Sequence, residues 1–153
     1  NDLITNHSGY AAKRKAMIKN GMQLYELRAT APICMDSTKD ESKCSPHVPY
    51  GLHAKTLIFD KNIACIGSFN LNLRSTYLNT ESILIVYDKN IAEAIASNIE
   101  RAMLGVNSWE LNMREDKLLW LSDGVELYAD PETNIWLRVK SKFLQLLPIG
   151  KYL

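Results

Sequence analysis

A set of residues in the middle of the chain has the types and spacing to grip a phosphate diester: His53, Lys55, Asp60, Gly67, Ser68, Asn70 and Glu81. In His53-Ala54-Lys55 the imidazole and the ammonium sit two residues apart, which on a strand sends both to one face. Imidazole serves as a nucleophile or general acid near neutral pH, and a lysine is a fixed positive charge suited to a phosphoryl oxygen. Gly67-Ser68-Phe69-Asn70 adds a glycine that permits a close backbone turn, followed by two neutral hydrogen-bonding side chains. Asp60, seven positions beyond His53, points away from it on a regular strand and suits a structural place in a turn. Glu81 is placed to accept a hydrogen bond from the imidazole and fix its tautomer. Each piece alone has an ordinary reading: H-x-K is usually a surface pair, GSFN a loop, a single glutamate nothing in particular. Taken in order, they point to a site.

The elements that must position these residues follow from the apolar pattern. LHAKTLIFD and IACIGS, split by Lys61-Asn62, predict a hairpin that brings residues 53–55 and 68–70 to the same end. Residues 69–80 read as irregular or a short helix, and SILIVY over Ser82–Tyr87 as a strand covered on both faces. Ile91, Ile95, Ile99 and Met103 recur at steps of four, which predicts a helix over 90–104 with its apolar stripe on the core, closed by Gly105. Upstream, a helix is expected from an N-cap at Ser8 to Gly21, then a strand over Met22–Arg28. Residues 31–50 read as a long exposed loop. Downstream, LLWLS and VELYA flank a turn at Asp123-Gly124, and a last helix runs from about Glu132 to Leu147, stopped by Pro148. Alternating helices and buried strands predict an α/β fold, a mixed β-sheet flanked by helices, with 1–153 as one domain.

Bulk composition excludes several classes. Hydrophobic residues at 46% and charged residues at 23% are ordinary for a globular domain and argue against disorder. With 18 basic and 17 acidic side chains, no strong footprint for nucleic acid exists. No apolar run approaches the ~18–20 residues that span a bilayer. Cys34, Cys44 and Cys65 form no disulfide framework by count or spacing, so Cys34 and Cys44 are read as free thiols of a polar loop and Cys65 as a core residue. A metal site of Cys34, Cys44 and His47 lacks the tight zinc spacings. Lys13, Arg14, Lys15 and Lys19 are read as a solvated helix face rather than a headgroup contact. Trp109, Trp120, Trp136 and Tyr152 are read as core rather than as membrane anchors. The chain opens at Asn1 in sequence that already looks structured, and it is expected to be a piece of a longer protein.

These residues resemble the phospholipase D superfamily, whose signature H-x-K-x4-D followed by G-S-x-N is matched by His53, Lys55, Asp60, Gly67, Ser68 and Asn70. GSFNLNLRSTYLNTE is similar to the bacterial cardiolipin synthase branch through Arg74, Ser75, Asn79 and Glu81, and both ends of the chain look like the segments around a second signature. Asn72 departs from the aspartate more usual in that branch. The resemblance implies an α/β sandwich half and chemistry without metal or cofactor. Two signatures face each other, one histidine attacking phosphorus and the other protonating the leaving alkoxide. It implies the acid/base role for His53, phosphoryl contacts for Lys55, Ser68 and Asn70, and orientation of His53 by Glu81. The partners it implies are a phospholipid, an N-terminal half bearing the first signature or a second copy of the chain, and peripheral contact with a membrane. Nucleic acid is disfavoured, and the expected place is a bacterial cytoplasm or the periphery of the inner membrane. Two other readings stay open: a metal-independent nuclease built as a one-signature homodimer, and a silent scaffold that binds lipid or a partner.

Overall fold

A computed structural model describes residues 4–145. The first helix, α1, spans Ile4–Lys19 and so begins upstream of Ser8, which lies inside it and is buried. Its end follows the glycine rule. Gly21 takes φ +83°, its N–H donates to the Ile18 carbonyl, and Met22 N–H reaches back to Met17. The chain then forms β1 (Leu24–Leu27), α2 (Cys34–Thr38), a 3₁₀ turn (Glu41–Lys43), β2 (Thr56–Phe59) and β3 (Ile63–Gly67). There follow α3 (Leu73–Tyr77), β4 (Ile83–Val86), α4 (Lys89–Ala102), β5 (Ser108–Arg114), β6 (Lys117–Ser122), β7 (Val125–Leu127) and α5 (Ile135–Gln145).

The α/β class stands, with the strands divided between two antiparallel sheets. The larger has the order β1-β5-β6-β7 and the smaller β2-β3-β4. The larger sheet holds the core: Trp109, Leu111 and Trp120 pack together, with Ile18, Leu24, Leu118 and Leu127 against them. Trp109 and Trp120 are therefore core residues as read from the sequence, whereas Trp136 is 82% exposed and Tyr152 lies outside the described residues. SWELNMR, the sequence of β5, carries no strict alternation and was not anticipated as a strand. The Asp123-Gly124 turn forms, with both residues at positive φ. The final helix starts at Ile135 rather than Glu132, and Leu147 and Pro148 lie outside the described residues.

Arg14 corrects the reading of α1 as a solvated basic face. It is buried, bonded to Asp130 Oδ1 at 2.5 Å and to Glu26 Oε1 at 2.7 Å, and lies over the rings of Tyr10 and Trp120. Glu26 also accepts from Trp120 Nε1. Burial alone would push the Asp130 carboxyl up, but the hydrogen bond from His7 and the Arg14 charge pull it down to about 2. One guanidinium thus ties α1 to the strand sheet and to the segment after β7, while Lys15 and Lys19 pair with Asp116 at the surface.

Residues 31–50 are not a plain exposed loop with two free thiols. Cys34 and Cys44 form a disulfide with the sulfurs 2.01 Å apart, and both are buried. The sequence argument failed because an odd count excludes a fully paired set, not one pair. Within the linked stretch, α2 and the 3₁₀ turn are closed by Thr38 and by Asp40, whose side chain accepts from Ser42 N–H.

The smaller sheet carries the site. Ala92 and Ala96 of α4 are buried where that helix packs on β3 and β2, and Ala64 of β3 is buried as well. The small side chains allow a close approach, so the core-facing stripe runs through the alanines. Ile91 and Ile99 of the expected stripe remain 47% and 39% exposed. On the face toward α4 Ala64 is buried, but Leu84 stays 64% exposed, so that face is only partly covered. On the other, Leu57, Phe59, Ile83 and Ile85 are open, so β4 is not covered on both faces as its continuous apolar run suggested.

Candidate active site

The hairpin of β2 and β3 turns through Asp60–Asn62, with Asp60 at φ +50° and Lys61 at +53°, so Asp60 sits in the turn at the far end from the candidate site. At the open end, Gly67 N–H donates to the Lys55 carbonyl at 3.1 Å, one rung beyond the strand. His53 and Lys55 therefore lie just before β2, not on a regular strand as the pattern suggested, although the ladder still fixes the backbone of Lys55. The Lys55 ammonium turns back to the His53 carbonyl at 2.7 Å.

Gly67 has a steric reason. A Cβ there would lie 2.2 Å from the Ser82 carbonyl oxygen, because β3 and β4 approach closely at this end. The same approach lets Ser68 bond twice with Ser82, N–H to carbonyl and Oγ from N–H, both at 3.0 Å. Ser68 Oγ then donates to Glu81 Oε2 at 2.5 Å, and Asn79 Nδ2 donates to Glu81 Oε1 at 3.1 Å. Hydrogen bonds from Ser68, then Ser75 and Asn79, hold the Glu81 carboxyl below its ordinary range, and the Lys55 charge adds to them against a small opposing effect of burial.

The loop bearing Asn70 is held from behind. Asn72 caps α3 by accepting from Ser75 N–H at 2.8 Å, and the buried Ser75 hydroxyl accepts from Asn70 N–H at 3.3 Å. Neither support was anticipated from the sequence. The sequence allowed a short helix over 69–80 and Asn is a favoured N-cap, but five residues are too few for periodicity to fix where the helix begins.

Lys55, Gly67 and Asn70 line one cleft of about 270 Å³ together with Leu57, Cys65, Phe69, Leu71 and Ile83. Cys65, expected in the core, is half-buried and forms part of this wall. Ser68 and Glu81 are bonded to each other but do not line the cleft. His53 is exposed outside the lining, and among the described residues its ring has no hydrogen-bond partner. The bond from Glu81 to His53 that the resemblance implies is not formed; Glu81 engages Ser68 and Asn79 instead. An ammonium and an amide on an otherwise apolar wall can hold a phosphate with an apolar substituent alongside. Among the described residues no group of three or more His, Cys, Asp or Glu side chains is placed to hold a metal ion.

Comparison with known proteins decides the family. The model described as cardiolipin synthase, PLD-like domain, matches residues 2–103, which include every element of the cleft. The chain belongs to the cardiolipin synthase PLD-like domain family. This PLD-like domain is 31% identical to cardiolipin synthase C of Escherichia coli (strain K12) over 154 residues, covering 97% of the chain and 32% of that protein. It is 31% identical over 96 residues to the major cardiolipin synthase ClsA of Bacillus subtilis (strain 168), covering 63% of the chain and 17% of the relative. An uncharacterized protein of Helicobacter pylori (strain ATCC 700392 / 26695) is 26% identical over 151 residues. The chain thus spans about a third or less of the length of these relatives. No solved structure matches.

Proposed function

We propose that the chain is a single half-domain over 1–153 supplying one of two H-x-K signatures to a phosphatidyl-transferring or phospholipase D-type site that acts on glycerophospholipids. The observation that carries this reading is the cleft itself, where Lys55 and Asn70 share a wall with Leu57, Phe69 and Ile83. A cation and a neutral donor suit the phosphodiester, and the apolar side chains suit the glycerol and acyl portion beside it. The cardiolipin synthases among the relatives support the same choice.

In this reading a histidine of the other signature attacks phosphorus, forming a phosphohistidine as the P–O bond to the leaving alcohol breaks. His53 gives its ring proton to that alkoxide and then takes the proton of the incoming water or alcohol, which attacks phosphorus and releases the first histidine. Lys55 and Asn70 hold the non-bridging oxygens, and Ser68, fixed by Glu81 and Ser82, keeps the loop between β3 and Asn70 in place. The exposed, unbonded ring of His53 fits a site completed by a second signature, either upstream in a longer protein or from a second copy. The bacterial relatives support a cytoplasmic place or one at the periphery of the inner membrane, and no described helix is long and apolar enough to cross a membrane.

The test uses the longer protein that carries this chain. Phosphatidyl transfer and headgroup release are measured in EDTA, with His53→Ala expected to lower kcat about 10²–10⁴-fold. Turnover unaffected by His53→Ala would remove the chain from the chemistry. Cleavage of DNA, but not lipid, by a dimer of the chain alone would replace this reading with the nuclease.

A further inference from the structure

Among the described residues, helix α3 and its flanks leave several large apolar side chains largely open. Leu71 is 82% exposed, Tyr77 76%, Leu78 66% and Leu73 43%. Single apolar residues scattered over a surface need no explanation, but these follow one another along one short stretch. From Lys61 to Thr80 there is no acidic residue, and Arg74 is exposed among the apolar side chains. Among the described residues only its Nε is engaged, by Asn79 Oδ1. Several of the segment's backbone N–H groups are meanwhile satisfied from within it. Ser75 N–H donates to Asn72 Oδ1, Thr76 N–H to the Asn72 carbonyl, and the N–H groups of Leu78 and Asn79 to the Arg74 carbonyl.

That combination favours a lipid surface as the occupant. A protein partner joining by strand addition needs open backbone groups, and this segment offers few. Pressing a segment into the headgroup region is cheap only if its own backbone bonds are already made. The apolar tips enter the acyl boundary, the cation meets phosphate, and no carboxylate is repelled by anionic lipid. The segment is also continuous with the cleft, since Asn70 and Leu71 belong to its wall.

We propose that residues 71–78 form a membrane-docking knuckle that seats the mouth of the cleft on an anionic bilayer. A phosphodiester headgroup then reaches Lys55 and Asn70 without leaving the surface. Tyr77 sits at the interface with its ring in the apolar layer and its hydroxyl in water, and Arg74 contacts lipid phosphate. The proposal rests on the lipid reading above and goes beyond it by naming the contact.

The test is binding, not turnover, so that it reads independently of the chemistry. The full chain is sedimented with vesicles of phosphatidylglycerol and phosphatidylcholine, and with phosphatidylcholine alone. Tyr77→Ser/Leu78→Ser changes exposed side chains outside the cleft wall, and is expected to weaken partitioning into the mixed vesicles about tenfold or more. As a second measurement, a Trp placed by Tyr77→Trp is expected to shift to shorter emission wavelength on the mixed vesicles and to be quenched by brominated acyl chains. Partitioning unchanged by the double substitution, or a Trp that is not quenched on vesicles, overturns the proposal. So does a chain that self-associates through these side chains and ignores vesicles. Vesicle binding through Tyr77, together with no phospholipid turnover by the longer protein that carries the chain, leaves the knuckle standing and retires the lipid chemistry.

Discussion

The Ser68 hydroxyl donates to Glu81 Oε2 at 2.5 Å, locking the residue after the close-packed glycine to the carboxylate that precedes β4. This bond is the largest of the influences that depress the Glu81 carboxyl. Ser68→Ala is therefore expected to let Glu81 titrate closer to its ordinary value of 4.5, followed by its side-chain carbon shift in NMR. The sign follows from the depressed folded value. What Glu81 contributes to the loop is complete above its ordinary pKa and is lost only as pH falls through the lower, folded one. An unmoved titration would remove this bond from the account.

Gly67→Ala tests the approach of β3 to β4. The added Cβ would meet the Ser82 carbonyl at 2.2 Å, which is backbone and cannot swing aside. Destabilisation of about 1–3 kcal/mol is expected from forced separation of the strands, measured as a lower urea midpoint at unchanged slope.

Arg14→Met addresses the buried ion cluster. Removing the guanidinium leaves Glu26 without its cation and Asp130 with His7 alone, and about 3–5 kcal/mol of stability is expected to be lost. Asp130, held at about 2 against an ordinary 3.8, stabilises the fold at every pH above that ordinary value. Its share disappears between roughly pH 4 and pH 2. In acid titrations of thermal stability, Asp130→Asn should lose the part of the fall that belongs to that window.

The Cys34–Cys44 link closes a short loop, with a sequence separation of 10, and confers about 2–3 kcal/mol by restricting the unfolded chain. Unfolding with and without reductant should differ by that amount in the parent, and not at all in Cys34→Ser/Cys44→Ser.

Of the candidate site, the part legible in the sequence was the convergence of three residues at fixed spacing. Lys55, Gly67 and Asn70 meet at one cleft, and the hairpin that brings them together was marked by two apolar runs around a polar turn. What sequence could not tell is who bonds whom. Glu81 pairs with Ser68 rather than His53, because a three-dimensional approach of β3 to β4 decides it. In the fold, periodicity found α4 but misjudged its buried side, since alanines pack more closely than isoleucines and no pattern of bulk apolar residues records that. Arg14 was hidden for the opposite reason: a charged residue on a helix reads as solvated unless its distant carboxylates are known.

The pairing of β1 with β5 continues one rung further, where Arg28 N–H donates to the Asn107 carbonyl at 2.8 Å. Everything between those two residues, including the disulfide segment, the H-x-K motif and α4, leaves the larger sheet and returns to it through a single doorway. The hydrophobic centre around Trp109 and Trp120 lies on the other side of that threshold, sealed by its own contacts. A disturbance confined to that excursion can therefore leave the tryptophan-centred sheet with its own strand pairing and packing intact.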